Sequence, residues 1–384
     1  MFDIVIVGAG LAGSVLAREL ASAGRQVLLV EKRPNIGGNC YDFTDNSGVL
    51  VHRYGPHLFH TSSEKAFNYL GRFTEWHEYE HRVLAVVDGQ QVPVPFNLNS
   101  LAMLFPQSMA VSLEKKLVNR FGFGVKVPIL QLRQTDDPEL KMLADFVYEK
   151  IFVNYTVKQW GCSPEEIAPE VMERVPVFVS RDDRYFQDAF QAVPKHGYTR
   201  MFQNLLDHPA IHPLMNTDYK DVVTVDTASG DILLFGSPFA GELIFTGMID
   251  ELFAFRFGRL PYRTLDFSFE SLEREYFQKV AVVNYPNNYD FTRITEFKRI
   301  HGQKLKYTTI LREYPRDYNG VEQEADAPCY PVFKEENRAR YEQYLQTAAG
   351  FPRLTLVGRL AEYRYYDMDD IVVRALDVFD QKFA

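Results

Sequence analysis

The sequence predicts an α/β fold built from three differently patterned regions. Residues 1–31 read as strand, helix and strand around a cluster of glycines, residues 99–180 carry helical patterns, and residues 262–312 show the alternation typical of β-strands. A chain of 384 residues, 46% of them hydrophobic, is long enough for two or three domains. We therefore expect a soluble globular protein with more than one domain.

Composition argues against several classes of function. Subtracting 51 acidic from 42 basic residues gives a net charge of -9, so a broad basic surface for nucleic acid is not expected. Cys40, Cys162 and Cys329 are far apart and outside any Cys-x-x-Cys spacing, which favours neither a disulfide framework nor a zinc site. The opening "MFDIVIVGAG" has no basic region and its apolar run is broken by glycines, so we expect a cytoplasmic protein without a membrane span.

The amino end predicts a nucleotide-binding βαβ unit. In "DIVIVGAGLAGSVLARELASAGRQVLLVEK" the pattern indicates a strand, a helix and a second strand, at residues 4–7, about 12–23, and 27–30. Gly8, Gly10 and Gly13 have the G-x-G-x-x-G spacing that allows a tight turn, close approach to a pyrophosphate and close helix packing. Glu31 follows the second strand, where it is placed to accept hydrogen bonds from ribose hydroxyls.

Two further patterns favour FAD over NAD. Gly37 and Gly38 let the backbone pass close to a second part of a cofactor, a layout that resembles the glutathione-reductase type of FAD-binding fold. Near the far end the chain indicates a strand at residues 354–357, then Gly358-Arg359, then a helix starting near Met368. The positive end of such a helix can stabilise the negative charge of a reduced flavin. A second G-x-G-x-x-G is absent, which argues against a reductase that binds two nucleotides.

Four separated motifs then make the chain resemble a known family. They are "RYGPHLFHT" at residues 53–61, "NYTVKQWG" at 154–161, "ITEFKR" at 294–299 and "GRLAEYRYYDMD" at 358–369. In this order they resemble the bacterial UDP-galactopyranose mutases over nearly the whole chain. The resemblance implies an FAD-dependent isomerase that interconverts UDP-galactopyranose and UDP-galactofuranose for cell-surface polysaccharides, with no net redox change.

The same resemblance implies an architecture. It predicts an FAD-binding Rossmann-like domain of the glutathione-reductase type, a helical insertion and a twisted antiparallel β-sheet domain. The FAD domain would be discontinuous, at residues 1–80, 198–248 and 350–384; the helical domain, with a mobile substrate loop, would span 99–180; and the sheet domain would comprise 81–98, 181–197 and 249–349. The family is usually dimeric, so a homodimer is expected.

Site residues follow from the motifs by resemblance. Catalytic roles fall to Arg174, Arg293, His60, Tyr365 and Asp367. Substrate-binding roles fall to Phe152, Tyr155, Trp160, Arg174, Tyr185, Arg293, Tyr330 and Tyr365. FAD-binding roles fall to Gly8, Gly10, Gly13, Glu31, Lys32, Gly38, Asn39, His57, Leu58, Arg359, Asp367 and Met368.

These residue types suit the implied chemistry. Tyr155 would lie along the uracil ring, and Trp160 would belong to a loop that closes over the sugar. Arg174 and Arg293 would donate hydrogen bonds to the diphosphate of UDP. Reduced flavin N5 would act as the nucleophile on the anomeric carbon, and the two arginines would stabilise the departing diphosphate. His60 would stand beside the flavin.

Other interpretations stay open from the sequence. The same fold would also serve an amine-oxidase-like flavin oxidase or desaturase, or a catalytically silent FAD-binding scaffold. His208 and His212 in "HPAIHP" have i,i+4 spacing, but each precedes a proline and no third ligand is nearby, so we expect a loop and no metal. Met248, Cys329 and Glu362 depart from the family pattern without removing a catalytic residue.

Overall fold

The fold is centred on a parallel five-stranded sheet. The computed structural model describes residues 2–161, 176–320 and 327–384. The sheet runs in the order Ile211–Leu214, Val27–Val30, Ile4–Val7, Glu242–Phe245 and Leu354–Leu356, with every neighbouring pair parallel. Its two amino-terminal strands, IVIV and VLLV, are buried along their whole length, because helices and loops cover both faces of a parallel sheet. The strands come from distant parts of the chain. A parallel sheet packed against helices confirms the α/β fold class.

Three helices cover one face of this sheet. The helix Leu11–Ser22 joins the first two strands and packs against Tyr198–Leu206 and Met368–Lys382. Leu16 and Leu20 on its inner face are completely buried. This helix begins one residue before the predicted start, so the expected βαβ unit is present. The strand Leu354–Leu356 ends one residue before its predicted end, and the expected carboxyl-terminal strand-helix unit is also present.

A helical region follows the amino-terminal part, as predicted. Its helices are Leu98–Leu104, Gln107–Phe121, Ile129–Arg133, Pro138–Val147 and Asn154–Trp160, with a π-helical turn at Tyr148–Val153. Asn97 and Asp137 start two of them, because their side-chain oxygens accept hydrogen bonds from the first backbone N–H groups. The short strands Lys126–Pro128 and Pro176–Phe178 pair alongside.

The second large sheet has seven strands and is antiparallel with one exception. Its order is Tyr330–Pro331, Tyr262–Leu272, Thr308–Asp317, Arg293–Glu296, Val282–Asn284, Val83–Val87 and Gln90–Val94. The exception is the parallel pairing of Val282–Asn284 with Val83–Val87, two strands that are far apart in the chain. The predicted sheet is therefore present with one parallel pairing, while the limits of the three predicted domains stay predictions.

Smaller elements complete the described chain. The remaining strands are Asp42–Thr44, Leu50–His52, Phe59–Thr61, Trp76–Glu78, Phe190–Pro194, Val223–Asp226, Asp231–Leu234 and Ser237–Pro238, and the remaining helices are Glu64–Gly71, Ile249–Leu252, Phe297–Ile300 and Glu335–Ala348 with 3₁₀ turns at Gly38–Cys40 and Tyr219–Asp221. His208 lies in a loop as predicted, whereas His212 lies in the edge strand Ile211–Leu214, so the prediction of a loop is wrong for His212. The strand forms because parallel pairing with Val27–Val30 outweighs the local signal of the prolines. Within the described ranges, no helix has the length and apolar character needed to cross a membrane.

Candidate active site

The predicted glycines form a cradle of closely approaching backbone. A β-carbon on Gly8 would lie 2.2 Å from Thr246 Oγ1, one on Gly13 would lie 2.0 Å from the Gly8 carbonyl oxygen, and one on Gly38 would lie 2.9 Å from the Gly10 α-carbon. Gly8 also has φ +101°, which residues with side chains rarely adopt. Each position therefore requires glycine for a geometric reason.

The amino end of helix Leu11–Ser22 opens towards this cradle. Gly10 precedes the helix and offers no side chain to cap its N–H groups. Glu31 is almost fully buried, and its two carboxylate oxygens accept hydrogen bonds from the backbone N–H groups of Ala9 and Arg33, both at 2.9 Å. The carboxylate thus fixes the glycine turn as well as facing the cavity, and the N–H groups at the helix start are placed to meet a pyrophosphate.

One cavity is lined by most of the predicted FAD-binding residues. Its walls include Gly8, Gly10, Glu31, Lys32, Gly38, Asn39, His57, Arg359, Asp367 and Met368. Gly13 and Leu58 do not line it: Gly13 packs behind the turn, and Leu58 packs against a separate hydrophobic cluster. The glycine cradle at one end and the helix start at Met368 fit the phosphates and the flavin of FAD respectively.

Sequence reasoning missed two further segments of the cavity wall. Thr217, Asp218 and Tyr219 line the cavity shortly after the strand Ile211–Leu214, and Thr246 and Gly247 line it directly after Glu242–Phe245. Both segments follow the carboxyl end of a parallel strand, where ligands of open α/β sheets bind. That rule was the available signal, but it needs the strand order, which the sequence alone does not provide.

The two predicted histidines have different surroundings. His57 lines the cavity, and burial, helped by the positive charges of Arg359 and Arg293, lowers its pKa to about 4 despite a 2.9 Å hydrogen bond between Nδ1 and the Gly55 carbonyl. His60 lies outside the cavity wall. Its Nδ1 is 3.0 Å from Asp188 Oδ2 and its ring stacks on Phe186 with centroids 3.5 Å apart. The predicted place of His60 beside the flavin stays a prediction, and His57 is the histidine that faces the cofactor cavity.

Aromatic rings adjoin the cavity at Arg359. The Arg359 guanidinium lies 4.9 Å from the ring centre of Tyr365 and 5.5 Å from that of Tyr330, and these two rings are parallel to within 5°. The ring of Trp160 also packs against that of Tyr330, with centroids 5.9 Å apart. Three rings from three distant segments are thus assembled beside the cofactor cavity. We call Trp160, Tyr330, Tyr365 and the neighbouring Tyr155 the aromatic wall.

Arg293 supplies the positive charge beside this wall. Its Nε lies 2.8 Å from Oε1 of Glu313, a residue with no exposed side-chain surface. The N–H does not point at that oxygen, and within the described residues both carboxylate oxygens lack a hydrogen-bond partner. Burial alone would lower the pKa of Arg293, but attraction to Glu313 and to the Tyr155 phenol raises it well above its ordinary value. The guanidinium is therefore held as a cation, and Glu313 is a site residue that the sequence did not reveal.

The phenols beside Arg293 stay protonated. Burial raises the pKa of Tyr155, with Arg293 opposing and Glu313 and Tyr365 reinforcing the rise. Burial likewise raises the pKa of Tyr330, again against Arg293. Neutral phenols can donate hydrogen bonds to an anion, which an ionised phenol cannot.

The start of helix Met368–Lys382 is fixed to the histidine strand. Asp367 precedes the helix and its backbone N–H donates to Asp370 Oδ2 at 3.0 Å. Thr61, next to His60, donates its hydroxyl to Asp369 Oδ2 at 2.7 Å. Asp367 and Met368 are thereby held at the cavity wall, as predicted for them.

The remaining predicted residues divide into three cases. Tyr185 packs edge-on against Phe186, with ring centroids 5.0 Å apart, and Phe186 is the ring that stacks on His60. Phe152 is 1% exposed in the core of the helical region, so its substrate-binding role stays a prediction. Arg174 lies outside the described residues.

The three departures from the family pattern lie at or near the cavity. Met248 and Cys329 are buried and line it. Glu362 accepts a hydrogen bond from the Gly358 N–H at 2.8 Å and pairs with Arg374 at 2.8 Å. Glu362 thus stabilises the turn that places Arg359, a structural role for a position expected to be variable.

Comparisons with known proteins agree with this geometry. The chain matches the UDP-galactopyranose mutase family over residues 150–365 and an NAD(P)-binding Rossmann-like domain over residues 6–73. A UDP-galactopyranose mutase of Mycoplasma pneumoniae is 34% identical over 99% of this chain and 96% of that protein. A probable UDP-galactopyranose mutase of Klebsiella pneumoniae is 35% identical over 99% and 94%, and a dTDP-fucopyranose mutase of Escherichia coli is 33% identical over 98% and 97%.

Solved structures show the same fold. A reduced UDP-galactopyranose mutase aligns with a TM-score of 0.75 at 15% identity, covering 99% of this chain and 93% of that one. A putrescine oxidase aligns with a TM-score of 0.59 at 12% identity, covering 99% of both chains, and shares the fold alone. The full-length relatives, the family match and the cofactor cavity agree: this chain is an FAD-dependent isomerase and belongs to the UDP-galactopyranose mutase family.

Proposed function

We propose that the chain interconverts UDP-galactopyranose and UDP-galactofuranose. One observation carries the proposal: a partly buried cation, Arg293, adjoins the aromatic wall where that wall meets the cofactor cavity at Arg359. A nucleotide sugar has an aromatic base, a diphosphate and a sugar, and this arrangement offers a partner for each. An amine-oxidase site would instead need an apolar channel leading to the flavin.

The base and the diphosphate would be held separately. Tyr155 would stack on the uracil, and Trp160 would cover the sugar. A stacked base contributes roughly 1–3 kcal/mol in single-stranded nucleic-acid complexes. Arg293 would bind the diphosphate, together with the predicted second guanidinium, that of Arg174. The phenols of Tyr185, Tyr330 and Tyr365 would donate hydrogen bonds to it. Because its raised pKa keeps Arg293 charged, it can bind the diphosphate without taking up a proton.

The residues of the chain would assist bond cleavage by binding and orientation. Reduced FAD supplies the nucleophile for the anomeric carbon and leaves the reaction without net redox change. Arg293 would stabilise the charge that grows on the departing diphosphate, and this interaction strengthens as the glycosidic bond breaks. His57 stays neutral near pH 7 because burial lowers its pKa to about 4, so it would meet the flavin as a hydrogen-bonding group and not as a cation.

The substrate is tested with a panel of nucleotide sugars. Protein reduced with dithionite in the absence of oxygen is incubated with UDP-galactofuranose or with dTDP-fucofuranose, and the pyranose products are separated by chromatography. The proposal predicts faster conversion of the UDP sugar. Preference for the dTDP sugar would contradict it and would place the chain with the dTDP-fucopyranose mutase among its relatives. Flavin reduction by an amine with no conversion of either sugar would support the oxidase.

We propose further that the protein is a cytoplasmic homodimer joined through its helical region. Exposed apolar side chains cluster in sequence there, including Val111, Phe123, Val125 and Leu130. Contact with a second copy would remove this apolar area from water. Light scattering coupled to gel filtration tests the assembly, and a mass of 44.4 kDa, that of one chain, would contradict it.

A further inference from the structure

A lysine attaches the short helix Asn154–Trp160 to a neighbouring loop. The ammonium of Lys158 lies 2.6 Å from the Tyr285 carbonyl oxygen, 3.0 Å from that of Tyr289 and 3.1 Å from that of Phe291. An ammonium has three protons, so each carbonyl receives one hydrogen bond. The side chain therefore fastens the helix to the loop 285–291.

A second contact joins the same two segments. Asn154 at the start of the helix donates its amide to Asn287 Oδ1 at 2.6 Å, and the Asn287 amide donates to the Lys150 carbonyl oxygen at 2.6 Å. Asn287 belongs to the loop that Lys158 grips. The helix is thus held at both ends against one loop.

The carboxyl end of the helix is closed by a buried arginine. Arg263, 5% exposed, donates from Nε to the Gln159 carbonyl at 3.0 Å and from Nη2 to the Lys158 carbonyl at 2.9 Å. The next residue, Gly161, has φ +70°, and a β-carbon there would lie 2.5 Å from Arg263 Nη1. The helix end is therefore shaped around this guanidinium.

The loop 285–291 is itself compact and leads directly to Arg293. The rings of Tyr285, Tyr289 and Phe291 pack on one another with centroids 4.8 to 5.3 Å apart. Two residues after Phe291 the chain enters the strand Arg293–Glu296. A shift of the helix relative to this loop would change the distance between the aromatic wall and the Arg293 cation.

We propose that Lys158 is a positioning residue, which holds Tyr155 and Trp160 at a fixed place relative to Arg293 so that the base and the diphosphate are gripped together. The inference rests on the proposed function, because it assigns those three side chains to the nucleotide sugar. Lys158 points its ammonium at the loop carbonyls and need not touch the substrate. Losing it should therefore weaken binding of the whole nucleotide while leaving the cofactor cavity intact.

The charge of Lys158 depends on pH within a usable range. Burial lowers its pKa to about 8, and Asp290 opposes that shift. Tyr285 and Tyr289, which also have ionisable side chains, contact the ammonium through their backbone carbonyls, and the Arg263 guanidinium bonds to the Lys158 carbonyl. As pH rises through about 8 the ammonium becomes an amine with two protons for three carbonyls. The attachment is therefore complete below pH 8 and weakened above it.

The experiment measures UDP binding by calorimetry on FAD-loaded protein at pH 7. We expect K158M to raise the Kd for UDP about tenfold, the effect of losing hydrogen bonds from a charged donor. The control is K150M, because within the described residues the Lys150 ammonium pairs with the exposed Asp88 alone, at 2.8 Å; its Kd should stay within about twofold of the parent value. FAD content, from the ratio of flavin to protein absorbance, should be equal in all three proteins.

The outcomes separate this inference from the proposed function. If the parent protein does not bind UDP, the proposed function fails first. If the parent binds UDP and K158M binds it equally well, the positioning role is overturned.

A second comparison decides the matter should K158M lose its FAD. The parent should bind UDP more weakly at pH 9 than at pH 7, while K158R, whose guanidinium stays charged, should lose less affinity over that interval. Equal losses in the two proteins would overturn the inference.

Discussion

Replacing Arg293 by methionine should separate a structural role from a catalytic one. Arg293 forms an ion pair with Glu313 that is buried on the carboxylate side, at 2.8 Å between Nε and Oε1, while the arginine side chain is 24% exposed. Removing one member of a buried pair costs about 3–5 kcal/mol because the other charge stays behind without a partner. Partial exposure of the arginine places R293M near the lower end, about 3 kcal/mol.

The expected loss of thermal stability follows from the size of the chain. Unfolding entropy is about 2.1 cal/mol/K per residue, or about 0.8 kcal/mol/K for 384 residues, so about 3 kcal/mol lowers the unfolding temperature by about 4 °C. The double variant R293M/E313M removes both charges and keeps similar volumes, so it should recover most of that loss. FAD content should be retained in both, because neither residue lines the cofactor cavity in the part of the chain that the structure describes.

Activity should not recover in the double variant. Losing a cation that stabilises charge in the transition state lowers kcat/KM by about 10²–10³. Thermal unfolding followed by flavin fluorescence and the anaerobic conversion assay are run on the parent, R293M and R293M/E313M. Parental kcat/KM in R293M would refute the role of Arg293 at the diphosphate. A double variant no more stable than R293M would refute the account of the ion pair.

Three further changes test other parts of the site. G13A should lose FAD, since its β-carbon would lie 2.0 Å from the Gly8 carbonyl oxygen, whereas G350A, whose nearest contact is 3.2 Å, should keep it; equal flavin absorbance in the two would contradict the cradle. Y155A should raise the Kd for UDP by roughly 5- to 150-fold through loss of stacking, while Y155F should bind as the parent does, and calorimetry that finds the two variants alike would argue against stacking. Acid should destabilise the fold, because burial lowers the pKa of His57 and His301 to about 4 and of His81 to about 3. Between those values and about 6.5 the unfolded chain binds protons that the folded chain does not, so stability is complete above about pH 6.5 and falls as pH drops towards 4. An unfolding temperature at pH 5 equal to that at pH 7 would be inconsistent with these shifts.

The amino-terminal unit was predictable because its signals are local. The run IVIV, the three glycines and the acidic residue after VLLV lie within one βαβ unit, and the observed strands and helix match the predicted ones to within a residue. Ten of the predicted FAD-binding residues line one cavity. Gly8, Gly10 and Glu31 among them follow from local spacing, whereas residues such as Asn39, His57 and Met368 were implied by the family resemblance.

The missed residues depend on contacts between distant segments. Glu313 approaches Arg293 because their strands are neighbours in the seven-stranded sheet, where the two residues face each other in register. Lys158 grips a loop more than a hundred residues away, and Thr246 closes the glycine cradle from a strand that follows Gly8 by more than two hundred residues. No pattern within a short window encodes such pairings.

The two histidines show the same limit. His57 and His60 lie in one short motif, and the place of His60 beside the flavin, implied by the family resemblance, stays a prediction. In the structure the strand Phe59–Thr61 turns His60 towards Asp188, while His57 remains at the cavity wall. These surroundings depend on contacts with segments distant in sequence, such as Asp188 and Phe186 for His60, which the motif itself does not encode.

The most direct test of the central claim compares two redox states of the same protein. UDP-galactofuranose is added without oxygen to dithionite-reduced protein and to an oxidised control, and UDP-galactopyranose is measured by chromatography. Conversion by the reduced sample alone is the predicted result, because the isomerisation uses reduced FAD without net redox change. Equal conversion in both samples, or none in a reduced sample that retains its FAD, would contradict the account.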